Sequence, residues 1–110
     1  MAVKGTGSYI HKVKAVNEDC YVLEEEQVLY LEAHHNHVIW NCVNERITSN
    51  ASLSTLQEEL SEHFVRIQRG YLVNKDYVKC IRRCEVVMEN GDVLPIPSKK
   101  YVKVKEELMK

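Results

Sequence analysis

At 110 residues, 45% of them apolar and 28% charged, the chain can bury one modest core. It reads as a single domain over residues 1–110, core about 9–108, which disfavours a two-domain enzyme built around a cleft. No run approaches the roughly 18 to 20 apolar residues a membrane span requires, and residues 1–10 hold no apolar stretch of the signal-peptide kind, so a cytoplasmic protein with no membrane partner is expected. The net charge of -1 conceals a segregation: residues 1–63 carry four basic and ten acidic side chains, residues 64–105 ten basic and four acidic, which suits a surface facing a polyanion.

The first predicted strand covers 9–16, with Ile10, Val13 and Val16 as apolar anchors, and the Asn17, Glu18, Asp19 cluster ends it. A short strand at 20–23 follows. After the acidic run 24–26, Val28, Leu29, Tyr30 and Leu31 predict a buried strand over 27–33. A polar loop, 34–37, leads to a strand at 38–43 with Trp40 in mid-run and expected in the core, and Asn44-Glu45 turns it into a partner at 46–49. Leu53, Leu56 and Leu60 at i, i+3 and i+7 predict one amphipathic helix, with Ser52 or Ser54 as N-cap.

Strand character returns at 64–67. The passage 71–77 reads as turn-like, with Asn74 capping local backbone, and strands resume at 78–81 and 84–88. Asn90-Gly91 marks a hairpin, since both residues tolerate positive φ. Pro95 and Pro97 confine the last strand to an edge, and Tyr101, Val104 and Leu108 predict a short C-terminal helix capped by Ser98. The expected fold is mainly β, short strands in small, mostly antiparallel sheets with two short helices.

Cys20, Cys42, Cys80 and Cys84 are read as reduced structural thiols, each a small buried hydrophobe. Cys80 and Cys84 have the spacing of half a zinc site, but no second close pair completes it. His34, His35 and His37 invite a metal reading. Neighbouring residues on an extended strand point to opposite faces, however, and no further ligand completes a tetrahedral set. Asn and His also carry donors and acceptors suited to base edges. Lys99 and Lys100, placed in the first turn of the last helix, oppose its dipole by about 0.3 to 1 kcal/mol, a conflict that a bound phosphate would reverse. No Gly-rich phosphate loop, nucleophile elbow or carboxylate pair speaks for catalysis. The expectation is a non-enzyme without cofactor or metal.

Residues 64–74, FVRIQRGYLVN, follow a capped helix and resemble the F-x-R-x-H-R-S-Y-L-V-N signature of the LytTR family, DNA-binding domains of bacterial response regulators. Residues 28–33 (VLYLEA) resemble the family's strand before its first DNA-contacting loop, and Asn90-Gly91 through Pro95-Ile96 its closing hairpin, so the resemblance runs from about 9 to 108. Three positions depart from the pattern: Gln68 for His, Gly70 for Ser, and Lys99 for Arg, where Lys lacks the bidentate fork.

The resemblance implies sequence-specific binding of double-stranded DNA by a transcriptional regulator of a two-component system, with loops rather than a recognition helix entering successive major grooves. It implies contacts from His35, Asn36 and His37 in the first loop, from Gln68 and Arg69, and from Lys99 and Lys100. It also implies repeated half-sites, hence two copies or a homodimer on DNA, and the family usually carries a receiver or sensor domain ahead of this one, so the chain is read either as a piece of a longer parent or as a stand-alone regulator. Arg66, three residues before Arg69, is assigned to packing or backbone hydrogen bonds instead. Two other readings stay open: a protein-interaction module with a basic face, and a His/Cys metal-responsive sensor.

Overall fold

The structure is a computed structural model and describes residues 9–110. Strands β1 (Ile10–Lys14) and β2 (Cys20–Glu24) form an antiparallel hairpin. A five-stranded antiparallel sheet follows, built from β3 (Val28–His34), β4 (His37–Cys42), β5 (Arg46–Ser49), β6 (Phe64–Gln68) and β7 (Tyr71–Asn74). Its spatial order is β5-β4-β3-β7-β6. Strands β8 (Val78–Arg82), β9 (Glu85–Met88) and β10 (Val93–Pro95) make a third sheet with β9 in the middle. Helix α1 (Leu53–Glu59) joins β5 to β6, and α2 (Tyr101–Leu108) closes the chain. The mainly β architecture with two short helices is the one expected, and the Pro-containing β10 lies at an edge, where a missing N–H is tolerated.

The five-stranded sheet is covered on both faces. One cluster packs Val13, Leu23, Leu31, Trp40, Leu56 and Phe64; the other packs Leu29, Ile67, Val73, Val86, Met88, Val104 and Leu108. This explains why the segment around Leu29 is a continuous apolar run rather than an alternation: a strand buried on both faces has no polar side. Trp40 is 1% exposed, and its indole N–H donates to Ser49 Oγ at 3.1 Å, so the core assignment holds.

Helix α1 starts as its sequence dictates, with Ser52 Oγ accepting the Thr55 N–H at 3.1 Å. Glu25, buried between the first hairpin and α1, accepts from the Ser61 N–H and O–H at 3.0 and 2.5 Å and lies 2.7 Å from His11 Nε2. A buried carboxylate is tolerated because each oxygen has a partner.

Several expectations need correction. In and just after β1 the inward positions are His11, Val13 and Ala15, two residues apart, so of the three expected anchors Val13 is buried while Ile10 and Val16 are exposed. Residues 71–77 are not a turn throughout. Tyr71–Asn74 is strand β7, inside the sheet between β3 and β6, and only Lys75–Tyr77 is a 3-10 turn. Gly70, Asn74 and Asp76 carry turn chemistry, but the Tyr-Leu-Val between them favours strand and finds partners on both sides. Asn74 caps locally, accepting the Asp76 N–H at 3.0 Å, and also donates to the Val28 carbonyl at 2.9 Å.

At Asn90-Gly91 only Gly91 has positive φ, +95°. The Met88 N–H bonds to the Asp92 carbonyl and the Gly91 N–H to the Met88 carbonyl, a three-residue turn closed by a glycine bulge. Ser98 does not cap α2. Ser98–Lys100 is a 3-10 turn, and α2 begins at Tyr101 with Lys100 at its N-cap and no side-chain cap. Lys99 and Lys100 therefore precede the helix rather than occupy its first turn. All four cysteines are free, but Cys20 and Cys80 are exposed, so only Cys42 and Cys84 approach the buried role.

Candidate nucleic-acid interface

Antiparallel pairing of β3 with β7 places Glu32 opposite Tyr71. That register brings the β3–β4 turn and the β6–β7 turn to the same end of the sheet, where the Ala33 N–H donates to the Gly70 carbonyl at 2.9 Å. The predicted loop 34–37 is tighter than expected: His34 and His37 are a cross-strand pair, and only His35 and Asn36 form the turn. His35 has φ +59°, a left-handed conformation that suits hairpin twist but costs a residue with a Cβ on the order of 1 kcal/mol. The rings of His34 and His35 meet edge to face at 4.6 Å. His37 is half-buried, and its Nδ1 is shielded from solvent without a hydrogen-bond partner among the described residues.

The two turns enclose a groove of about 330 Å³ lined by His35, Asn36, His37, Arg66, Arg69 and the start of α1 at Ser52 and Ser54. The two arginines play different parts. Arg66 donates from Nη2 to the Arg69 carbonyl at 2.7 Å, from Nε to the Gln68 carbonyl at 3.1 Å, and from Nη1 to Gln57 Oε1 at 2.8 Å. This is the backbone-bonding role the sequence suggested. Arg69 is exposed, and its guanidinium has no partner among the described residues.

Gln68 is more committed than the sequence suggested, because its Nε2 donates to the Pro95 carbonyl at 2.7 Å. That bond ties the closing segment to the end of the five-stranded sheet. Lys99 and Lys100 are both exposed and follow Pro95 within the closing segment. Lys100 borders a second hollow with Arg66 and Lys103. At Gly70 a Cβ would meet only Gln68 Oε1, at 3.9 Å, so the Ser of the family pattern would fit without strain.

Sequence reasoning missed Gln57, which braces Arg66, and read Ser52 and Ser54 only as N-cap candidates rather than as groove residues. Helix periodicity marks Gln57 only as an outward residue; its partner lies nine positions away on a strand. The histidines do not gather a metal set: among the described residues no group of three or more His, Cys, Asp or Glu is arranged to hold an ion. No helix among them is long and apolar enough to cross a membrane.

Exposed cations with amide and imidazole groups on a small antiparallel scaffold have the chemistry of a nucleic-acid-binding domain. Residues 18–109 match the family model of the LytTr DNA-binding domain, and the chain belongs to this LytTR family, whose activity is DNA binding. Over 106 residues it is 24% identical to the sensory transduction protein LytT of Bacillus subtilis (strain 168), an alignment covering 90% of this chain and 44% of that protein. The chain thus spans less than half the length of this relative. The solved LytTr DNA-binding domain of a methyl-accepting/DNA response regulator from Bacillus cereus has the same fold, with a TM-score of 0.77 and 23% identity over 94% of this chain and 98% of that one.

Proposed function

We propose that this domain reads duplex DNA sequence-specifically for a bacterial transcriptional regulator of the two-component type, its loops entering the major groove. The observation that carries the reading is the convergence of the His35-Asn36 turn and the Arg69 turn on one groove, with the Arg69 guanidinium exposed and without a partner among the described residues. An arginine so placed can donate two parallel hydrogen bonds to guanine O6 and N7, and Asn36 and His37 can address neighbouring base edges. Lys99 and Lys100 take phosphates. Gln68 serves first to hold the closing segment through Pro95 and keeps its Oε1 for a donor on the DNA.

Such a unit occupies the chain from about residue 9 to 108. The site is a set of repeated half-sites taken by two copies, and the parent protein carries a receiver or sensor region ahead of this domain in the cytoplasm. The test is a selection from a random duplex library with the purified domain, followed by titration of the enriched site at several salt concentrations. A recurring enriched sequence with a steep salt dependence is expected. No enrichment together with a flat salt dependence would contradict the reading and favour an acidic protein partner.

A further inference from the structure

We propose that the β8–β9 turn is an additional DNA-backbone contact, with Arg83 holding a phosphate beside the base-reading loops. The inference rests on the DNA-reading function proposed above and extends its footprint. Arg82 and Glu85 are the last paired residues of the hairpin, so Arg83 and Cys84 alone form its turn. Cys84 takes the positive φ, +59°, usually left to Gly or Asn. Nothing in turn chemistry asks for arginine here. Arg82 is balanced by Glu85, with Nε 3.5 Å from Oε1. Arg83 is exposed and has no ion-pair or hydrogen-bond partner among the described residues.

Its position gives the charge a use. The Cys84 carbonyl accepts the Ile96 N–H at 2.9 Å, Glu85 stands opposite Pro95, and the Pro95 carbonyl accepts from Gln68 Nε2 at 2.7 Å. A hydrogen-bonded path thus runs from the Arg69 turn through the closing segment to the Arg83 turn, and the same closing segment leads on to Lys99. The turn that carries Arg83 is thereby tied through the closing segment to the end of the sheet that carries Gln68 and Arg69. Duplex DNA presents about one charge per 1.7 Å of its axis, so a cation flanking the base-reading turns has phosphates to meet. A guanidinium on a turn suits a phosphate, which accepts from Arg or Lys alike.

The experiment compares the wild-type chain with Arg83→Ala, Arg83→Lys and the double variant Lys99→Ala/Lys100→Ala, on the selected site and on a random-sequence duplex across a salt series. Arg83→Ala is expected to weaken both duplexes by the same factor and to lower the slope of log affinity against log salt by roughly one unit. Arg83→Lys should restore the slope, and the melting curve should not move. Ethylation interference at one outer phosphate should disappear in Arg83→Ala alone. An unchanged slope in Arg83→Ala, with a lowered slope in the lysine variant, would take this turn off the DNA and leave the DNA-reading function standing. Unchanged slopes in both variants would take both turns off the DNA, and failure of the wild-type chain to bind either duplex would remove the function and this contact together.

Discussion

The Arg66 guanidinium donates to the main-chain carbonyl of Arg69 at 2.7 Å from Nη2 and 3.3 Å from Nε, so one arginine fixes the turn from which the other projects. Arg66→Ala should cost about 1.5 to 3 kcal/mol, the range for hydrogen bonds made by a charged group. It should also reduce discrimination between selected and random duplexes while leaving the salt slope unchanged. A slope lowered by a full unit would show that Arg66 touches a phosphate itself. Denaturant titration and the paired binding curves check both halves.

Trp40 anchors the cluster beneath α1. Trp40→Ala should cost about 3 to 5 kcal/mol, as large-to-small changes of buried aromatics do. Trp40→Phe, which keeps a ring and gives up the bond to Ser49 Oγ, should lose less. Urea unfolding of the two variants measures the order, and an unchanged midpoint for the alanine variant would contradict the packing described.

Replacing Lys99 and Lys100 together by Ala should lower the salt slope by roughly one to two units and weaken all duplexes about equally. Both lysines sit in the 3-10 turn ahead of α2, where positive charge opposes the helix dipole. Thermal stability should therefore not fall. Affinity that survives the double change would place this turn away from DNA.

Alkaline pH should destabilise the fold. Burial, with the Glu45 carboxylate adding, pushes the Cys42 thiol from its ordinary 9.0 up to about 11. Burial and the 2.8 Å hydrogen bond to Asp92 raise the Tyr30 hydroxyl well above its ordinary 10.0. Both groups have raised values in the folded state, so their contribution is whole below the unfolded pKa and is lost as pH rises toward the folded one. Unfolding free energy should begin to fall above pH 9 through Cys42 and continue to fall above pH 10 through Tyr30. Tyr30→Phe should flatten the later part of that decline, as measured by urea titrations across the alkaline range.

The legible features in the sequence were those written in local chemistry. The Leu53, Leu56, Leu60 spacing with Ser52 or Ser54 predicted α1, the apolar run at Leu29 predicted a buried strand, and the resemblance to the LytTR pattern separated a structural Arg66 from Arg69. Features that depend on long-range pairing were not legible. Tyr71–Asn74 looked like a turn because its flanking residues are turn-formers, and only its neighbours β3 and β6 make it a strand. Gln68 looked free until the Pro95 carbonyl, 27 residues on, claimed its amide. Lys99 and Lys100 were placed inside a helix that begins after them, since Ser98 suggested a cap its hydroxyl does not supply.

The central claim is that Arg69 reads a base. Arg69→Lys tests it most directly, because it keeps the charge and loses the planar fork. On the selected duplex, Arg69→Lys should lose about 1 to 3 kcal/mol and relax preference at one base pair, with affinity for random duplex and the melting curve both retained. Equal loss on selected and random duplexes, with base preference intact in the folded protein, would contradict it.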